Sequence, residues 1–255
     1  MAGRLVKEHI LITGGSRGIG AAIVEKCLSE GANVSFIDLE AEEGRRLLAK
    51  LNHDGQLFFI EGNVCSVEDL KRWSDGAREK FGSITGLVNN AGRNSYADPV
   101  TMTEQQWEDV FNVDLKAAWL AAREALPDMI ANQKGSIVNI ASVHANMTYP
   151  SMFPYAAAKS GLVGLTRSMA LEVGPQQVRV NALSPGYTET FLVREFFEKN
   201  DPSLRDKVLD VHPMKRMAKP AEIANCVAFL LSSEASFVTG ANWVADGGLT
   251  SRFAG

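Results

Sequence analysis

Residues 9–24 have the sequence HILITGGSRGIGAAIV, and this stretch decides the fold. An apolar strand-like segment runs into a glycine-rich turn, TGGSRGIG at residues 13–20, and then into a helical pattern. Glycines let a backbone approach a pyrophosphate closely, and the free amides at a helix start favour that negative charge. The order of strand, turn and helix therefore predicts a dinucleotide-binding unit, although the spacing Gly-x3-Gly-x-Gly is not the commoner GxGxxG. A plain glycine turn is the alternative.

The same alternation of short apolar segments and longer helical ones continues along the chain. The segments with strand character are residues 9–13, 33–38, 57–61, 86–89, 136–142, 178–183 and 242–245. The segments with apolar residues at helical spacing are 18–30, 41–53, 66–81, 104–132, 153–174 and 220–232. This pattern predicts an α/β fold, a Rossmann-like doubly wound sheet of seven parallel strands with helices on both faces. Ligands of such folds bind at the carboxyl ends of the strands.

No linker-like segment divides the chain, so we expect residues 1–255 to form a single domain. The longest stretch without a predicted strand or helix includes residues 186–219, which contain a segment rich in phenylalanine and charges. Within it, Leu192 and Phe196 are four residues apart, as on one face of a helix. We expect this stretch to form a lid over the substrate, with ordinary packing against the body as the alternative.

Composition excludes several classes of function. The chain has 255 residues, with 26 basic and 30 acidic side chains and a net charge of −4, so it has no electrostatic footprint for nucleic acid or an anionic membrane. Cys27, Cys65 and Cys226 lie far apart without a CxxC pair, which indicates neither a disulfide framework nor a metal site. The apolar run near the first residue is too short for a signal peptide or a membrane span. We therefore expect a cytoplasmic protein.

Asp38 ends the second predicted strand, about twenty residues after the glycine turn. A carboxylate there accepts hydrogen bonds from the adenosine ribose hydroxyls and repels a 2′-phosphate, which favours NAD over NADP. Arg17 is the opposing signal, because an arginine in the turn can compensate a phosphate. The alternative for Asp38 is a turn or helix-cap residue.

Several later motifs follow in a fixed order. They are NNAG at residues 89–92, Asn112 in FNV, Ser142 at the end of the fifth strand, Tyr155 and Lys159 in YAAAK, SPG at 184–186 and DGG at 246–248. Together with TGGSRGIG, this set resembles the short-chain dehydrogenase/reductase family over nearly the whole chain. The resemblance implies hydride transfer between a nicotinamide cofactor and an alcohol or carbonyl.

The resemblance also implies the roles of four residues. Tyr155 is the acid/base, Ser142 hydrogen-bonds the substrate oxygen, Lys159 binds the nicotinamide ribose, and Asn112 supports a proton relay. The residues themselves agree with part of this, because Tyr155 and Lys159 share one helix face and a nearby cation lowers the pKa of a phenol. An ordinary pair on an amphipathic helix is the alternative.

The resemblance further implies which residues contact the cofactor. They are Gly14, Ser16, Arg17, Gly18, Ile19, Gly20, Asp38, Asn63, Val64, Asn90, Ala91, Gly92, Tyr155, Lys159, Pro185, Gly186 and Thr188. Asn63 departs from the aspartate usual in the family, and we expect its amide oxygen to accept a hydrogen bond from the adenine. Relatives are commonly homotetramers, which makes a homotetramer the expected assembly.

Polar residues beside the motifs are candidates for substrate contact. Arg93 and Asn94 follow the NNAG turn, and His144 follows Ser142 by two residues, so they join Ser142 and Tyr155 as candidates. Their polarity suggests a sugar or polyol; simple surface exposure is the alternative. A 3-oxoacyl or hydroxysteroid substrate within the same family remains open, as do an epimerase or dehydratase and a non-catalytic nucleotide sensor.

Overall fold

A computed structural model describes residues 3–51, 55–94, 96–199, 201 and 203–252. Its strands form one sheet in which every neighbouring pair is parallel, with the order β3-β2-β1-β4-β5-β6-β7. The strands are β1 (His9–Thr13), β2 (Asn33–Asp38), β3 (Leu57–Glu61), β4 (Gly86–Asn89), β5 (Gly135–Ile140), β6 (Val178–Pro185) and β7 (Asn242–Ala245). This architecture confirms the predicted doubly wound α/β fold.

The helices cover the sheet from both sides. In chain order they are α1 (Gly18–Ser29), α2 (Ala41–Leu51), α3 (Val67–Phe81), α4 (Glu104–Phe111), α5 (Ala117–Ala131), α6 (Tyr155–Val173), α7 (Phe191–Lys199), α8 (Ser203–Val211) and α9 (Pro220–Leu231). Among the helices so described, none is long and apolar enough to cross a membrane.

Alternation along the strands sends side chains into two cores. In β1, Ile10 and Ile12 pack into the core that contains residues of α1 and α9. Leu11, between them, packs into the opposite core with residues of α3 and α5. Because successive side chains of a strand point to opposite faces, a parallel sheet with helices on both sides needs apolar residues in succession. All five residues of β1 are accordingly buried.

The structure interrupts the helix predicted over residues 104–132. Helix α4 ends at Phe111, and Asn112–Lys116 form a π-helical turn before α5 begins. A π turn adds one residue to a helical turn and rotates the residues that follow, without needing a glycine or proline. The spacing of apolar residues is nearly the same before and after the π-helical turn, so the sequence pattern does not reveal this turn.

Two strands end at other residues than predicted. Strand β5 ends at Ile140, and Ser142 instead caps the short 3-10 turn Val143–Ala145, its Oγ accepting a hydrogen bond from the His144 amide at 3.2 Å. Strand β6 continues to Pro185, and residues 186–219 include α7 and α8. The last residues of the helix predicted over 41–53 lie outside the described residues.

The strand order places the site. The chain moves outward from β1 in one direction through β2 and β3, then returns to β4 on the other side of β1. Loops that leave β1 and β4 therefore diverge, and a crevice opens between them at the carboxyl ends of the strands. The glycine turn and the NNAG motif both lie in these loops.

Candidate active site

A cavity of about 600 Å³ lies at this crevice. Its volume is within the range of small-molecule sites. The predicted site residues that line it are Gly14, Arg17, Gly18, Ile19, Gly20, Asp38, Asn63, Val64, Asn90, Ala91, Gly92, Arg93, Asn94, Ser142, His144, Tyr155, Lys159, Pro185, Gly186 and Thr188. Two predicted residues are not in its lining: Ser16, which faces a neighbouring depression, and Asn112.

The glycine turn is held by the strand beside it. Gly14 has a φ of +65°, in the left-handed region, and a Cβ there would lie 2.9 Å from the Ala91 Cα. The side-chain amide of Asn90 donates hydrogen bonds to the carbonyl of Gly14 at 2.8 Å and to that of Thr13 at 3.1 Å. Asn90 therefore shapes the turn, in addition to lining the cavity.

The turn presents unsatisfied donors that fit a pyrophosphate. Helix α1 begins at Gly18 without a side-chain cap, and its first turn contains no acidic residue. The Ser16 hydroxyl is buried without a hydrogen-bond partner in the described part of the chain. Free amides and the positive end of a helix dipole stabilise phosphate groups. These residues thus fit the phosphates of a dinucleotide.

Carboxylates surround the place predicted for the adenosine ribose. The Asp38 carboxylate accepts hydrogen bonds from the amides of Ser16 at 2.9 Å and Glu40 at 3.0 Å. A carboxylate has about four acceptor sites, so Asp38 combines this turn-forming role with room for a ribose hydroxyl. The Arg17 guanidinium lies 3.3 Å from the Glu40 carboxylate and 3.4 Å from that of Glu43. Arg17 is therefore already paired.

Tyr155 and Lys159 occupy the start of α6, on the cavity side. The Lys159 ammonium lies 5.6 Å from the centre of the Tyr155 ring. It also donates a hydrogen bond to the Ile140 carbonyl at 3.2 Å and is almost fully buried. The one-turn spacing thus brings the two groups together as the sequence predicts.

The structure places Asp114 against Lys159. The Asp114 Oδ1 atom lies 3.1 Å from the Lys159 Nζ atom, in the middle of the π-helical turn. Burial raises the pKa of Asp114, while the ammonium of Lys159 acts in the opposite direction. The wide turn directs Asp114 to the cavity, and Asn112 begins the same turn. An acidic residue within an apolar helical run, VDL at 113–115, was the available sequence signal. The role of Asn112 in the proton relay stays a prediction.

Ser142 and His144 also line the cavity, and His144 lies beside Tyr155. Ser142 is buried at the cap of its 3-10 turn. The His144 ring lies 6.0 Å from the Tyr155 ring, and its Nδ1 atom is 3.2 Å from the Thr148 hydroxyl. Burial lowers the pKa of His144, so the imidazole is neutral at pH 7. His144 thus belongs to the cavity, next to the predicted acid/base.

All four tyrosines of the chain line this cavity, of which the sequence analysis identified one. The hydroxyls of Tyr149 and Tyr187 are hydrogen-bonded to each other, and burial raises the pKa of Tyr149 and of Tyr96. Their positions in loops after β4, β5 and β6 carried no periodic signal. They add three phenols to the wall around Tyr155.

Two predicted cofactor contacts have partners of their own. The Asn63 Oδ1 atom accepts a hydrogen bond from the Cys65 amide at 2.9 Å, which leaves one acceptor site on that oxygen. The Thr188 hydroxyl donates to the Gly186 carbonyl at 3.2 Å. Within the described ranges, no group of three His, Cys, Asp or Glu side chains is arranged to hold a metal ion.

Comparison with known proteins identifies the class. The family model described as enoyl-(acyl carrier protein) reductase matches residues 14–250. The chain belongs to the short-chain dehydrogenase/reductase family and is an oxidoreductase.

Particular relatives are similar along their whole length. The chain is 38% identical over 253 residues to 2-(S)-hydroxypropyl-CoM dehydrogenase 3 of Xanthobacter autotrophicus strain Py2, covering 98% of this chain and 99% of that one. It is 33% identical over 246 residues to the 3-oxoacyl-[acyl-carrier-protein] reductase FabG of Staphylococcus epidermidis, covering 96% and 99%. The ligand-free aldohexose dehydrogenase AldT of Thermoplasma acidophilum superimposes with a TM-score of 0.87 and 35% identity, covering 98% and 96%.

Proposed function

We propose that the chain interconverts a secondary alcohol and its carbonyl by hydride transfer with NAD(H), and that Tyr155 is the acid/base. The observation that carries this proposal is the convergence of Ser142, Tyr155 and Lys159 on the cavity that also contains the glycine turn. Members of the family use NAD(H) or NADP(H). The nicotinamide, when bound, accepts or supplies the hydride.

The side chains carry the proton and orient the substrate. A free phenol has a pKa of about 10 and is a poor base at neutral pH. The Lys159 ammonium stabilises the phenolate, so Tyr155 takes the hydroxyl proton of an alcohol during oxidation and returns a proton to the carbonyl oxygen during reduction. Ser142 holds that same oxygen by a hydrogen bond.

The charges around Arg17 support NAD as the cofactor. Arg17 is paired with the carboxylates of Glu40 and Glu43, and Asp38 lines the same cavity. A 2′-phosphate would have to displace these pairs and approach Asp38. A ribose hydroxyl would instead donate to the Asp38 carboxylate.

We propose a sugar or polyol as the substrate, with a 3-oxoacyl or hydroxysteroid substrate as the second candidate. His144, Tyr149 and Tyr187 supply hydrogen-bonding groups in the wall, and the name of the similar AldT structure supports a sugar. Leu192 and Phe196 supply apolar surface for an acyl chain, and the FabG relative supports that alternative. A nucleotide sensor is less favoured because Ser142, Tyr155 and Lys159 are all present.

Leu192 and Phe196 of α7 also support the proposal that residues 186–219 form a lid. A lid that brings apolar side chains to the cavity excludes water from hydride transfer. The homotetramer implied by the family, the single domain and the cytoplasmic location stay predictions. Sedimentation equilibrium of the purified chain tests the first of these, since a mass of one or two subunits contradicts a tetramer.

A substrate panel tests the proposed reaction. Nicotinamide reduction is followed with NAD or NADP against aldoses, polyols, hydroxy acids, hydroxysteroids and 3-hydroxyacyl thioesters, with Tyr155→Phe as the matched blank. We expect a Tyr155-dependent signal with NAD on one of these groups. Measurable NADH binding without turnover on any group would favour the sensor instead.

A further inference from the structure

A buried ion pair lies behind the acid/base. The Asp114 side chain is 0% exposed and that of Lys159 is 5% exposed, and their charged atoms are 3.1 Å apart. The other ion pairs of the described residues all include a side chain that is at least partly exposed. The pair also contacts backbone: Lys159 donates to the Ile140 carbonyl, and Asp114 accepts from the Arg93 amide at 3.3 Å.

The surrounding backbone is fitted closely to this pair. A Cβ on Gly92 would lie 2.8 Å from the Asp114 Oδ1 atom and 3.2 Å from the Lys159 Nζ atom. The NNAG turn therefore packs directly against both charges. Two buried charges cost desolvation free energy that an apolar pair would not, so stability alone does not explain their presence beside a reactive tyrosine.

The location of the carboxylate decides its effect on Tyr155. The Lys159 Nζ atom lies 5.6 Å from the centre of the Tyr155 ring and 3.1 Å from the Asp114 Oδ1 atom, so one ammonium interacts with both groups. A cation stabilises a neighbouring phenolate, and an anion paired with that cation opposes the effect. Asp114 therefore partly compensates the positive charge that Lys159 presents to Tyr155.

We propose that Asp114 is a positioning residue which acts through Lys159 to keep the proton on the Tyr155–Lys159 pair up to a higher pH. The proposal rests on the acid/base role of Tyr155 given above. Alcohol oxidation requires the pair to have lost a proton, and proton donation to a carbonyl requires the protonated pair. At a given pH, Asp114 thus favours carbonyl reduction over alcohol oxidation.

Other titratable and charged groups face the pair from neighbouring elements. Arg93, after β4, lies on the Asp114 side and partly offsets its charge. His144, after β5, is neutral at pH 7 because burial lowers its pKa. Tyr96, Tyr149 and Tyr187 share the cavity, and burial raises the pKa of the first two. Asp114 is therefore the negative charge in direct contact with Lys159 in the described structure.

The test removes the charge and keeps the shape. Asp114→Asn is compared with Asp114→Glu, which keeps the charge, and with Asp109→Asn, which removes an exposed carboxylate of α4 that is hydrogen-bonded to Gln105. If the asparagine variant does not fold, Asp114→Ser supplies a second neutral variant.

Two readouts are measured across pH. The first is kcat/KM for Tyr155-dependent oxidation of the alcohol that the panel identifies, because this rate depends on the proton count of the pair, whichever of its two atoms carries the proton. The second is the ultraviolet absorbance of tyrosinate in the presence of NAD, taken as the difference between each variant and the same variant with Tyr155→Phe. The second readout needs no substrate, so it decides the inference even if the panel finds none.

We expect the midpoints of both readouts to fall by about one pH unit in Asp114→Asn and to stay near the parent value in the other two variants. An unchanged midpoint in the neutral variants, or a midpoint that moves to higher pH, overturns the proposal. A loss of activity without a shift of the tyrosinate midpoint also overturns it, because a merely structural role produces that pattern.

Discussion

The Asp38 carboxylate accepts a hydrogen bond from the backbone amide of Ser16 at 2.9 Å, across 22 residues of sequence. This bond connects the end of β2 to the glycine turn after β1. The two adjacent strands thereby set the distance between the phosphate site and the ribose site. Asp38 is both a structural residue of the turn and the proposed selector of NAD.

Replacement of Asp38 by alanine tests this double role. A hydrogen bond to a charged group contributes about 1.5–3 kcal/mol, so we expect at least a roughly tenfold loss of kcat/KM with NAD. The loss with NADP should be smaller, because repulsion of the 2′-phosphate disappears as well. The ratio of kcat/KM for the two cofactors is the measurement. Asp75→Ala, at an exposed carboxylate of α3, is the control, and an equal ratio in parent and Asp38→Ala would contradict a ribose contact.

Release of Arg17 from its partners should favour NADP. In the double variant Glu40→Gln/Glu43→Gln, the guanidinium loses two carboxylates that lie within 3.4 Å. We expect kcat/KM with NADP to rise several-fold, since a surface charge pair is worth up to about 1 kcal/mol. Glu42→Gln, whose side chain pairs with Arg45 instead, is the matched control. No gain with NADP would mean that Arg17 does not face the cofactor.

His144→Ala tests the substrate wall. His144 packs against the rings of Tyr149 at 5.0 Å and Tyr155 at 6.0 Å, so we expect a higher KM for the substrate and an unchanged KM for NAD. Loss of one contact corresponds to a change of about tenfold in kcat/KM. Thr148→Val removes the hydroxyl next to the His144 Nδ1 atom and keeps the imidazole ring. This variant therefore shows the effect of the ring's orientation separately from the effect of its contact with the substrate. Unaltered kinetics in His144→Ala would return this residue to a surface role.

His9 makes the folding stability depend on pH in the acid range. It is 2% exposed between the Gly82 carbonyl and the Ser35 hydroxyl, and burial lowers its pKa in the folded state. The unfolded chain then binds the proton more readily, so the free energy of unfolding decreases as the pH falls below about 6.5. Urea unfolding of His9→Gln should show lower stability at pH 8 and a smaller further loss toward pH 5. His144 contributes a similar term to both proteins, and parallel pH profiles would refute the role of His9.

The fold was largely predictable because its signals are local. Apolar runs such as β1 and β2 have the predicted bounds, and their alternation with helices is typical of a parallel sheet. The glycine turn was predictable for a related reason: Gly14 adopts a φ that other residues avoid. These features depend on backbone conformation within a few residues.

The site was predictable where a short motif fixes geometry and not where tertiary packing does. Tyr155 and Lys159 meet because they are one helical turn apart. The contact between Asp114 and Lys159 depends on a π turn, which leaves no residue signature. Tyr149 and Tyr187 meet across two loops 38 residues apart, a contact that periodicity does not encode.

The most direct test of the account is the comparison of Tyr155→Phe with the parent enzyme. Phenylalanine keeps the ring and removes the hydroxyl that exchanges the proton, whereas the residues of the glycine turn are untouched. NADH binding is measured by fluorescence titration, and steady-state turnover is measured on the substrate that the panel identifies. We expect a loss of at least about a hundredfold in kcat, within the range attributed to general acid–base catalysis, with the Kd for NADH nearly unchanged. Turnover near the parent level would show that Tyr155 is not the acid/base.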